Sequence, residues 1–141
     1  MILRITQGIL YAGFLTYGSI SDLRTHTVPD WVWMGVAGAG MLCMKLSSLP
    51  SMLLGAAAVL LIEVPLAAAM KDRAIGGADI KISAAGAFLL GWRKGLAALI
   101  LGLLLSIVIM SIVRAVRHEK QDKRFALVPF LAAGQLAVYL L

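Results

Sequence analysis

Two aspartates stand where apolar runs meet polar punctuation, and together they could do hydrolytic chemistry. Asp22 follows one run in Ser21-Asp22-Leu23-Arg24-Thr25-His26-Thr27-Val28-Pro29-Asp30, and Asp79 opens another in Gly76-Gly77-Ala78-Asp79-Ile80-Lys81. A charge at the centre of a membrane-crossing helix costs about 2.5 to 3.5 kcal/mol on insertion scales, so acids in or beside such runs call for an explanation. Two carboxylates held about 3 to 5 Å apart cannot both ionise easily and come to share a proton. One can then activate water while the other protonates or polarises a scissile carbonyl, which is aspartyl hydrolysis and requires no metal. Each residue also has an ordinary account: Asp22 as a helix-end residue, and Asp79 as an N-cap after a glycine turn.

The elements that must position these acids are membrane helices. The chain has 141 residues, 61% of them hydrophobic and 14% charged, and its mean hydropathy is +0.93. That is more apolar surface than a soluble domain of this size can bury, so the lipid bilayer is the expected solvent. Six apolar runs, 2–20, 31–49, 51–70, 79–92, 95–113 and 125–141, predict an all-α polytopic transmembrane bundle of about six spans, built as a single domain over 1–141. The fourth run is short for a span, so it is expected to begin inside the cytoplasmic boundary or to lie tilted among its neighbours. The first run lacks a small-x-small cleavage site and is read as a retained helix.

The formal charge of +6 sets orientation rather than nucleic-acid binding. The segments 21–30, 71–78 and 114–124 are long and charged, whereas Ser47-Ser48-Leu49-Pro50 and Arg93-Lys94 read as tight turns. Counting Lys81 with the long segments collects nine Lys and Arg on one side, leaving Arg4, Lys45, Arg93 and Lys94 on the other. The richer side is expected to be cytoplasmic, which puts both termini outside and the two acids at the cytoplasmic face of a multi-pass cell-membrane protein. Cys43 is the sole cysteine, so no disulfide or zinc ribbon can form within the chain.

Other marked residues have plainer readings. Arg24 is a positive-inside anchor or an electrostatic partner of loop or substrate, Lys81 snorkels to the interface, and Asp30 after Pro29 reads as an N-cap. His26 and His118 sit in charged loops without metal-ligand spacing, and Glu119 and Asp122 belong to a solvated charged run. Glu63, inside the third run, either lines a polar cavity or pairs with a neighbouring hydroxyl. Gly35, Gly38, Gly40, Gly55, Gly86 and Gly102 would let helices approach closely.

Taken together, the two acidic segments resemble the type IV prepilin peptidase family. Asp22, Arg24, Val28, Pro29 and Asp30 match an Asp-x-Arg-x-x-x-(Ile/Val)-Pro-(Asn/Asp) segment after one span, and Gly76, Asp79 and Lys81 match a Gly-x-Gly-Asp-x-Lys segment before a later one. The stretch Val128-Pro129-Phe130-Leu131-Ala132-Ala133-Gly134 is similar to the family's last helix. The resemblance implies that Asp22 and Asp79 are catalytic and that Arg24, Gly76, Gly77, Ala78 and Lys81 support the site or the substrate. It also implies an enzyme without cofactors that removes the leader of a pilin, pseudopilin or flagellin-like membrane precursor, after a glycine ending a short basic leader. Larger members carry an N-terminal paired-cysteine segment and methylate the new N-terminus; this chain starts at the peptidase helices, so the resemblance implies peptidase activity alone. Ala78 stands where the family has glycine before its aspartate, which would be strained if the position needed positive φ.

The rival from another class is a small transporter or channel binding cations or protons at Asp22, Glu63 and Asp79. It lacks the repeated halves such proteins often show, because the Gly-rich break before the fourth run has no counterpart. A non-catalytic pilus-assembly scaffold would have no use for the acid pair.

Overall fold

The computed structural model describes residues 1–70, 76–118 and 126–141. Lys71, Arg73, Lys120, Lys123 and Arg124 of the orientation count, with Glu119 and Asp122, lie outside the described residues. The described chain is all-helical: α1 (Ile2–Thr25), α2 (Asp30–Leu42), a 3-10 turn (Leu46–Ser48), α3 (Leu49–Ala69), α4 (Gly77–Leu90), α5 (Trp92–Arg117) and α6 (Val128–Leu140). Odd-numbered helices run toward the end holding Asp22 and Asp79, and even-numbered ones run away from it.

The bundle is apolar outside and partly polar inside. Leu53, Leu61, Ile100, Leu104 and Ile107 are exposed, while Gln7, Asp22, Glu63, Asp79, Ser83, Ser106 and Gln135 are buried. That is the distribution expected of a membrane protein. Two helical stretches, Leu46–Ala69 and Trp92–Arg117, are long and apolar enough to cross a bilayer. Three other helices are shorter than these two: α2 and α6 have 13 residues each and α4 has 14. At 1.5 Å per residue each is about 20 Å long.

Segment ends depart from the expected runs for local reasons. The second run stops being helical at Leu42, and a hydrogen bond from the Lys45 N–H to Ser48 Oγ, with Ser48 Oγ donating back to the Lys45 carbonyl, shapes the 3-10 turn that follows. The expected Arg93-Lys94 turn is instead a single-residue break at Gly91, whose φ of +80° suits a residue without Cβ. Gly91 N–H donates to Ala87 O to close α4, and Gly95 N–H donates to Gly91 O to open α5, so Arg93 and Lys94 are helical.

The short α4 is the axial helix, packed by α2, α3, α5 and α6. Its run Ala85-Gly86-Ala87 is small and buried, which lets those neighbours close in. Of the six glycines expected at close approaches, five are used so; Gly38 borders open space. At Gly86 a Cβ would stand 2.4 Å from the Gln135 carboxamide. Gln135 accepts a hydrogen bond from Tyr11 Oη at 3.0 Å and donates to the Ile82 carbonyl at 3.3 Å, tying α1, α6 and α4 together. Gly86→Ala is expected to displace that carboxamide and cost about 1 to 3 kcal/mol, read as a lower unfolding midpoint in detergent.

Candidate active site

The site grows from the N-terminus of α4. Gly76 caps the helix in extended conformation and its N–H donates to Asp79 Oδ2 at 2.8 Å, while Asp79 N–H donates back to the Gly76 carbonyl at 3.1 Å. This reciprocal loop fixes the carboxyl at the third helical position, where the helix dipole favours negative charge. Ala78 lies in the first turn of α4, and among the described residues the only non-glycine positions with positive φ are His26 and His118. Alanine is therefore unstrained before Asp79.

The two glycines differ. A Cβ on Gly76 would lie 3.2 Å from Asp79 Oδ2, whereas one on Gly77 meets nothing within 4 Å. Gly76→Ala is expected to lower the unfolding midpoint in detergent more than Gly77→Ala, by about 1 kcal/mol, because it presses on the oxygen that caps α4.

Asp22 comes from the last turn of α1 and is 7% exposed, as is Asp79. Its Oδ2 accepts a hydrogen bond at 3.2 Å from the N–H of Val128, the first residue of α6. That N–H is one of the donors a helix start leaves without an intrahelical partner. Behind Asp22, His26 ends α1 in left-handed conformation with φ +51°, and Ser21 Oγ donates to the Thr27 carbonyl at 2.8 Å, turning the chain toward α2.

The fold brings Asp22 and Asp79 to one end of the bundle, within electrostatic reach of each other. The adjacency of the first and fourth helices is made by side chains: α1 and α4 do not pack backbone to backbone, and α2 and α6 flank the gap between them. Tyr11 and Leu15 of α1 meet Ile82 and Ala85 of α4 in one cluster, with Val36, Val128 and Ala132 at its sides.

The supporting residues separate. Arg24 is exposed, two positions past Asp22 and so on the other side of α1. Asp30 is the first residue of α2 rather than its cap, which is Pro29. Lys81 Nζ donates to Asp30 Oδ1 at 2.7 Å, joining the starts of α4 and α2. That bond, with Trp33 Nε1 donating at 3.3 Å, holds the Asp30 carboxyl below the usual carboxylate range. With its folded value depressed, the link is present above the ordinary aspartate range and fades as pH falls through the lowered value.

Sequence reasoning missed the Val128 N–H, which no side-chain pattern signals, and Ser83, whose i+4 spacing from Asp79 on a helix was the available sign. Ser83 lies beside Glu63, which is fully buried. A separate cavity of about 910 Å³ opens at the opposite end of the bundle, lined by Arg4, Gln7, Cys43, Ser51, Lys94 and Tyr139 among others, away from both aspartates. No group of three or more His, Cys, Asp or Glu suited to a metal ion occurs among the described residues.

Compared with known proteins, residues 9–113 match the family model described as the type IV leader peptidase family. The match takes in both aspartates and ends within α5, short of α6. No curated protein and no solved structure matches the chain.

Proposed function

Because the chain belongs to the type IV leader peptidase family, we propose that it is an intramembrane aspartyl endopeptidase in which Asp22 and Asp79 remove the leader of a prepilin-like membrane precursor. The observation that carries this reading is the burial of two carboxyls at one end of the bundle, each holding a backbone N–H with one oxygen. One acid takes a proton from water as the oxygen attacks the scissile carbonyl, and the other gives its proton to the carbonyl oxygen. Collapse of the tetrahedral adduct breaks the C–N bond, with the proton passing to the leaving amine. A new N-terminus and a leader carboxylate result, and the pair again holds one proton.

The whole chain acts as one peptidase unit, with six membrane-embedded helices, both termini outside and the aspartates at the cytoplasmic face. Support for the orientation comes from the sequence count, in which nine Lys and Arg belong to the segments on the aspartate side and four, Arg4, Lys45, Arg93 and Lys94, to the other. A scissile bond at the cytoplasmic boundary suits a precursor with a cytoplasmic leader and an apolar helix in the bilayer, which orients it and lowers the entropic part of the barrier. Arg24, exposed on the side of α1 away from Asp22, meets the leader or lipid at this end of the bundle, and Gly76 with Lys81 holds the start of α4. The reaction needs no cofactor and no methyl donor.

The test is co-expression with pilin-, pseudopilin- and flagellin-like precursors, with mass spectrometry of the products. Removal of the leader from at least one supports the reading. Intact precursors throughout, together with cation or proton flux in vesicles, would favour a transporter.

A further inference from the structure

Glu63 is the acid that the two-aspartate chemistry leaves unused. It is fully buried on the face of α3 that also carries Val59, one turn earlier, and Ala67, one turn later. Those two residues pack in an apolar cluster with Ala87 of α4, Leu99 of α5, and Leu127 and Leu131 at the start of α6. Neither Glu63 carboxyl oxygen, nor the neighbouring Ser83 Oγ, makes a hydrogen bond of proper geometry among the described residues, although the two side chains lie side by side. An acid seated in apolar packing without a fixed donor is costly and calls for a role.

Its surroundings point to one. Ser83 follows Asp79 by one helical turn, so the α4 face that meets Glu63 is the face that carries Asp79. From α4, Asp79 lies within electrostatic reach of Glu63; α5 and α6 contribute apolar side chains to this cluster.

We propose that Glu63 is the third carboxyl of this site, a positioning residue seated behind Asp79 beside Ser83, whose own proton sets the pH range over which the aspartate pair keeps the proton it shares. The proposal rests on the reading of Asp22 and Asp79 as the reactive pair. A negative charge on Glu63 opposes a second one on that pair, so the pair retains its proton further into alkaline solution. Glutamine keeps the shape and removes the charge.

Infrared difference titration of the protein in lipid nanodiscs tests the coupling without any substrate. The protonated-carboxyl band absent from Glu63→Gln should titrate at a pH different by about half a unit or more once Asp79 is replaced by Asn. In the cleavage assay Glu63→Gln should hold KM within about twofold while kcat falls progressively toward alkaline pH, by about tenfold at the alkaline limb. Glu63→Asp, which keeps the charge on a shorter arm, should retain the infrared coupling to Asp79, and serves if Glu63→Gln does not fold. Independent titrations of Glu63 and Asp79, or a Glu63→Gln profile with both limbs unmoved, would show a packing role and overturn the proposal. Coupling in the spectra of a protein that cleaves no precursor would uphold the linked acids and reject the peptidase reading instead.

Discussion

Asp79→Asn and Asp22→Asn are each expected to reduce kcat for leader removal by about a thousandfold or more while the protein inserts and folds at normal yield. The expectation follows from what asparagine keeps and what it loses. Its carbonyl oxygen can still accept the Gly76 or Val128 N–H, so the cap of α4 and the link from α1 to α6 survive. It can neither take a proton from water nor give one to the carbonyl. Because the acids act as one unit, the double variant should be no more than a few-fold worse than either single one. Progress curves with purified protein in lipid would check this, and a double variant far worse than both singles would mean two independent contributions.

A large effect on both stability and the site is expected at Gly134, where α6 crosses α5. A Cβ there would stand 2.6 Å from Gly102 N and 2.7 Å from the Ala98 carbonyl oxygen, both backbone atoms that cannot swing aside. Gly134→Ala must push the helices apart, at about 1 to 3 kcal/mol. The damage reaches the site, because α6 starts at Val128 and that residue holds Asp22. Unfolding in detergent should show a lowered midpoint together with reduced cleavage. Gly38→Ala, which enters open space, is the control and should lie within about 0.5 kcal/mol of wild type. Equal midpoints for the two variants would contradict the tight α5–α6 crossing.

Asp22 and Asp79 were legible because acids bordering long apolar runs have few ordinary explanations, and because each sits in a segment with its own punctuation: Pro29 after one, Gly76 and Gly77 before the other. Helix count was legible for a related reason, since the runs are long compared with the breaks. What escaped was whatever depends on three-dimensional placement. Asp30 looks like a cap because it follows proline, and only the meeting of α2 with α4 turns it toward Lys81. The break at Gly91 is one residue long and carries no charge, so the charged pair after it drew attention instead. Val128 acts through a backbone N–H, which every residue but proline possesses. Glu63 was visible as an acid in an apolar run; its neighbour Ser83 became meaningful only once α3 lay against α4.

The most direct test of the account is a cleavage assay in native membranes, with a prepilin-like precursor co-expressed beside wild type, Asp22→Asn or Asp79→Asn and membrane insertion measured in parallel. The account predicts a shortened precursor with wild type and an uncut one with either variant at equal insertion. Continued cleavage by either variant would contradict it.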